Sequence, residues 1–180
     1  MHCWKTINIE YEYGTTRLVL FSTITFFLVF CFSYVGVSHN FPSRHHDDYF
    51  IVFFLALFAL YPLHKLIHYI ALLDYRKKLA FRWRIQYRFI PVLHMRLKDT
   101  IPKNRYVFAL LAPFLFLNSL LLVLAVNYTQ YAHYTCILLG LHCSICFIDL
   151  LNVKNLWNSP PNAVIEETPK GYEILVPPNM

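Results

Sequence analysis

His64 and His68 stand four residues apart in the stretch LFALYPLHKLIHYIALL. On a helix of about 3.6 residues per turn, that spacing puts both imidazoles on one face. Far along the chain, Asp149 in LHCSICFIDLL is the one acidic residue of ten that falls within a long apolar run rather than in a loop or tail. Two imidazoles one turn apart plus a carboxylate from elsewhere are a ligand set that zinc accepts, with a fourth position open to water or substrate. In the catalytic motif His-Glu-x-x-His, the Glu after the first His removes a proton from water that the metal has acidified. Here that position is Lys65. An ammonium group is no base and repels a nearby dication. The spacing therefore argues for a metal, and the residue type argues against ordinary metal-assisted hydrolysis. Burial would make the lysine neutral and basic, whereas snorkelling to an aqueous interface keeps it charged.

These residues must be positioned by very apolar elements. The 180 residues are 57% hydrophobic, 18% aromatic and 14% charged, with a mean hydropathy of +0.43. That excludes a disordered or collagen-like chain and is too apolar for an ordinary soluble domain. Four stretches, 17–37, 49–72, 106–127 and 132–151, suit the roughly 20 helical residues that cross a hydrocarbon core. The expected fold is an all-α membrane protein of four transmembrane helices over residues 1–151, followed by a cytoplasmic tail, 152–180. The first span resembles a signal peptide but has no small-x-small cleavage site after it, so it is expected to be retained.

Orientation follows the count of Lys and Arg in the loops. The 73–105 segment carries ten of them, the 38–48 loop has Arg44 alone, and the 128–131 turn has none. The long loop and both termini are thus expected on the cytoplasmic side of a multi-pass cell-membrane protein. The net charge of +6 is accounted for by this topology and by anionic headgroups at the basic loop, so no nucleic-acid partner is expected. Within the loop, Phe81, Trp83, Ile85, Tyr87 and Phe89 alternate with polar residues, which predicts a strand. A second strand over 92–97 would return as a hairpin, with Pro91 confined to an edge or an end. In the tail, AVIEET, a PKG turn and YEILVPP predict a short hairpin after a Pro-rich linker.

Ionisable groups within a bilayer are costly and therefore point to function. At about 1.5 Å per residue, His64, His68 and Asp149 all fall in the cytoplasmic half of the bilayer. His142 lies about 10 Å deeper than Asp149, and Asn118 is midway along the third span; cross-helix bonding explains either one. Cys143 and Cys146 form a C-x-x-C within an apolar helix, a weak signal better read as packed thiols, although a softer metal site with His142 is conceivable. Haem needs ligands on facing helices. His64 or His68 with His142 would supply them, but no small-residue groove makes room for the porphyrin. His39, His45, His46, Asp47 and Asp48 read as a solvated outer loop.

HKLIH late in the second span, PKNRYVFALLAP entering the third, Asp149 late in the fourth and the closing VIEETPKGYEILV together resemble the bacterial putative zincin peptidase family. Those proteins are small four-helix membrane proteins similar to the core of site-2 intramembrane metalloproteases. The resemblance runs from about Asp47 onward. It implies that His64, His68 and Asp149 are the zinc ligands and that Lys65 replaces the general base. It also implies a use for the 81–89 strand, because site-2 proteases are thought to bind substrate as an added strand, which requires an unpaired edge. Two readings follow. The chain is a degenerate or inactive member of this class that retains a metal and binds a membrane-protein partner, or it is a noncatalytic membrane scaffold whose histidines and aspartate form a metal-free polar network.

Overall fold

A computed structural model of the chain describes residues 1–86, 90–97, 99–168 and 171–177, with side chains described outside 77–98. Four helices are long and apolar enough to cross a membrane: α2 (Thr15–Asn40), α3 (Phe50–Ala71), α4 (Lys103–Asn127) and α5 (Ala132–Trp157). A five-residue helix, α1 (Ile9–Tyr13), precedes them, with Asn8 Oδ1 accepting from the Tyr11 amide as its N-cap. The first, third and fourth helices extend past the spans expected from hydropathy, since polar turns at their ends continue the backbone ladder. Only 6% of the most apolar window of α2 and 11% of that of α3 are buried within the protein, against 33% for α4 and for the last helix. Side chains such as Phe27, Phe32, Leu55 and Phe58 thus face outward. That is the arrangement expected of helices whose solvent is lipid.

α5 is the central helix, packed on α2, α3 and α4. Its approach to α2 depends on Gly140, where a Cβ would lie 2.9 Å from the Phe26 carbonyl oxygen and 3.3 Å from the Phe30 Cβ. A small residue there lets the backbones come close, and close packing drives helix association where lipid competes for apolar contacts.

At one end of the bundle lies a four-stranded antiparallel sheet in the order β1 (His2–Ile7), β6 (Gly171–Val176), β5 (Val164–Thr168) and β4 (Ile101–Pro102). The hairpin expected in the C-terminal tail is its centre, with Ile165 opposite Ile174. Its alternate residues Tyr172, Ile174 and Val176 are buried. Tyr172 and Ile174 join Ile7, Ile101 and Leu156 in a core that also takes in Leu72, Tyr106, Ala109 and Val153 at or next to the ends of three long helices. The N-terminal strand was not foreseen. HCWKTI shows no strict alternation and gains its edge place by pairing with β6, Ile7 opposite Tyr172, a tertiary effect that local sequence does not carry.

A second, two-stranded sheet pairs β2 (Leu79–Gln86) with β3 (Ile90–Leu97), Ile85 opposite Pro91. β2 holds Phe81, Trp83 and Ile85 of the strand expected over 81–89 and ends at Gln86. It starts after a 3₁₀ stretch, Leu73–Lys78. Tyr87 and Phe89 lie outside the described residues.

Candidate metal centre

α3 supplies the first donors. Its apolar sequence places His64 and His68 on the side turned to α5, and the two are 1% and 6% exposed, the most enclosed polar side chains of that helix. α5 brings Asp149 to them. Asp149 Oδ2 lies 3.3 Å from His64 Nε2 and 3.4 Å from His68 Nε2, and the two Nε2 atoms are 3.0 Å apart. The three expected residues therefore converge.

Neighbouring helices fix the tautomers. A carbonyl oxygen only accepts, so at 2.8 Å from the Ala109 carbonyl the His68 Nδ1 carries the proton and donates it, leaving a lone pair on Nε2. That carbonyl is free for a specific reason. In a regular helix it would accept from the amide four residues on, but that residue is Pro113, within α4, which has no N–H. A longer relay fixes His64: His142 Nδ1 donates to Asn118 Oδ1 at 2.7 Å, and His142 Nε2 in turn accepts from His64 Nδ1 at 3.2 Å. The His64 Nε2 then also bears a lone pair. Two imidazole lone pairs and a carboxylate oxygen face one another in a buried space with no proton between the rings, an arrangement that calls for a cation.

The donor spacing fits zinc. An ion with tetrahedral bonds of about 2.0–2.1 Å keeps its nitrogen and oxygen ligands about 3.3 Å apart, and the three separations here run from 3.0 to 3.4 Å. Second-shell acceptors on both histidines are the usual companions of such ligands.

Lys65 follows His64 directly in α3. It is partly buried, and its Nζ lies 5.8 Å from the centroid of the Tyr61 ring, one turn back on the same helix. The aromatic face attracts the ammonium. The Tyr61 hydroxyl is buried without a hydrogen-bond partner among the described residues.

On the far edge of the His64 ring sits Cys146, fully buried, with Sγ 3.8 Å from His64 Nδ1 and 3.6 Å from His142 Nε2. The sequence offers Cys143 and Cys146 with His142 as a softer metal site and Asn118 as a cross-helix group, and it pairs His142 with His64 only in the haem reading. The i, i+4 spacing of His142 and Cys146, with Asp149 three further on, was the available signal: it puts all three on one face of α5. Haem is not accommodated, because His142 and His64 are in direct hydrogen-bond contact where a porphyrin would have to enter.

The remaining polar groups are structural. At the opposite end of the bundle, Asp47 accepts from Tyr134 at 3.1 Å and lies 3.3 Å from His133 Nε2, while His45 Nε2 is 3.0 Å from the Tyr34 hydroxyl. These contacts pin the loop between α2 and α3 to both α2 and α5. Beside the sheet, Tyr106 donates to Glu167 and Lys103 Nζ reaches the Trp157 and Ser159 carbonyls at the end of α5, where a cation suits the helix C-terminus.

The chain is built on four long helices apolar enough to cross a membrane, with a His/Asp donor set enclosed between two of them. It belongs to the putative zincin peptidase family, whose match covers residues 57–164, more than half of the chain, from the second long helix to the start of β5. No curated protein and no solved structure matches it.

Proposed function

We propose that the chain is a multi-pass membrane protein that holds zinc through His64 Nε2, His68 Nε2 and Asp149 Oδ2, is impaired in peptide hydrolysis, and retains the capacity to bind a membrane-protein partner. The observation that carries this reading is the convergence of three donor atoms at 3.0–3.4 Å with both imidazole tautomers set by outer acceptors. Bound zinc would polarise a carbonyl oxygen and acidify a water. The residues around it orient and enclose: Ala109 and the Asn118–His142 relay hold the rings, and Asp149 offsets positive charge. The step they do not supply is proton removal, because Lys65 stands where the base would be and its ammonium rests against Tyr61. For the partner, the ladder of β2 and β3 leaves outer strand edges unpaired among the described residues, which suits addition of an extended segment.

The N-terminal strand, the end of the basic loop and the C-terminal hairpin share one sheet, so the first strand and the last hairpin lie at the end of the bundle where that loop returns. This supports a topology with termini and basic loop in the cytoplasm, the loop lying against anionic headgroups.

The competing metal-free scaffold reading draws on the same distances, since a proton on either ring would also satisfy Asp149. Zinc analysis of the detergent-purified protein separates the two. Zinc at one equivalent or more, lost in His64→Ala and lowered by one equivalent in Asp149→Asn, is expected; less than about a tenth of an equivalent, unchanged by His64→Ala, overturns the metal reading. Incubation with membrane-peptide substrates beside Lys65→Glu tests the impairment. Cleavage by the variant alone supports a missing base, and equal cleavage by both overturns it.

A further inference from the structure

The His64 ring has two donor edges, and only one is used by the carboxylate-side triad. Its Nδ1 faces His142 Nε2 at 3.2 Å and Cys146 Sγ at 3.8 Å, and the last two atoms are 3.6 Å apart. All three residues are essentially sealed from solvent, at 1%, 0% and 0% exposure. Their donor atoms form a compact triangle of two nitrogens and a sulfur. A tetrahedral zinc or cobalt ion with bonds of about 2.0–2.1 Å to nitrogen and 2.3 Å to sulfur keeps N···N about 3.3 Å and N···S about 3.5 Å apart. The observed separations are close to those values.

The surroundings favour the same use. Asn118 Oδ1, 2.7 Å from His142 Nδ1, holds the proton on the outer nitrogen and leaves the inner lone pair pointing at the triangle, the usual second-shell arrangement of a ligating histidine. His142 and Cys146, one turn apart on α5, approach His64 from a single face. The His142 Nε2 lone pair already accepts from His64 Nδ1, so the Cys146 thiol is left without a ring acceptor of its own.

We propose that His64, His142 and Cys146 form a second metal site, taking a borderline-soft divalent ion such as zinc, and that it shares His64 with the carboxylate-side triad. On binding, Cys146 loses its thiol proton and His64 its Nδ1 proton, both to solvent, and each freed electron pair coordinates the ion; nothing is oxidised or reduced. With both sites filled, His64 bridges the two ions as an imidazolate. Three anionic ligands, Asp149, Cys146 and the bridging ring, then offset most of the charge of two dications. The thiolate gives this site the softer character of the two.

Cobalt(II) titration of the reduced, detergent-purified full chain tests this, because a thiolate ligand produces an intense near-ultraviolet charge-transfer band that nitrogen and oxygen ligands do not. The band is expected in the unaltered protein and in His68→Ala/Asp149→Asn, where only the proposed second site remains. It should vanish in Cys146→Ser, which keeps size and shape, while that variant still binds cobalt at the carboxylate-side triad. Metal content should fall from two equivalents to one in either case. Absence of the band in the unaltered protein, or its survival in Cys146→Ser, overturns the proposal. Loss of the carboxylate-side ion with the band intact would instead overturn the zincin-type reading alone.

Discussion

Pro113→Ala should make the protein more stable and a poorer metal binder, a pairing of opposite signs that general misfolding does not produce. Proline inside a helix costs about 3 kcal/mol relative to alanine, because it removes a backbone hydrogen bond and crowds the preceding turn. Pro113 is fully buried, and losing about two packed methylenes at about 0.8 kcal/mol each offsets roughly half of that gain. A net stabilisation of about 1–1.5 kcal/mol remains. The new amide at position 113 competes for the Ala109 carbonyl, which now accepts from His68 Nδ1 at 2.8 Å. A neutral hydrogen bond contributes about 0.5–1.5 kcal/mol net, so weakening it should reduce zinc affinity about two- to twelvefold. Thermal unfolding of the metal-free protein in detergent and competition against a chromophoric chelator read the two effects separately. Unchanged or tighter zinc binding by the variant would refute the argument that Pro113 serves His68 through the carbonyl it frees.

Three further outcomes are expected. Measured in a Cys146→Ser background, so that only the carboxylate-side triad counts, Asn118→Leu should weaken zinc binding about ten- to hundredfold, and Asn118→Asp, which keeps an acceptor for His142 Nδ1, should not; equal losses in a chelator competition would discard the tautomer relay. Gly140→Ala forces a Cβ to 2.9 Å from the Phe26 carbonyl oxygen and should destabilise the bundle by about 1–3 kcal/mol, visible as a lower unfolding temperature. At Gly171 a Cβ would strike the Ile7 backbone carbonyl, so Gly171→Ala should release β1 from the sheet; hydrogen exchange at residues 2–7 rising while α4 and α5 stay protected is the expected record, and unchanged protection would be evidence against this contact.

The four long helices were legible because twenty-residue apolar runs have few other fates, and so was the tail hairpin, whose alternation and turn residues are local signals; in the basic loop alternation alone marked a strand, with no turn residue to set its end. The pairing of His64 with His68 followed from helical period alone. That Asp149 would meet them did not: depth along two helices made contact feasible, but rotation about each axis is set by packing, here by the α2–α5 approach at Gly140 and by the faces that α3 and α4 turn inward. The Ala109 carbonyl is a subtler case. The four-residue offset to Pro113 is written in the sequence, yet which side chain would use the freed oxygen depends on the crossing of α3 and α4.

Lys65 is also explained better by its surroundings than by the motif it interrupts. A lysine beside a zinc ligand would destabilise the ion if its ammonium pointed at the metal, and the charge repulsion would grow in a dry interior. Here the stem carries the charge back along α3 to the Tyr61 ring, while Asp149 stays directed at both imidazoles. Loss of the base therefore need not entail loss of the ion. Position 65 supplies none of the three donor atoms, so a substitution there changes the residue beside His64 without removing a ligand. Restoring Glu at this position alone would then return an acceptor to an intact ligand set, which is why Lys65→Glu, rather than a ligand substitution, is the informative variant for hydrolysis.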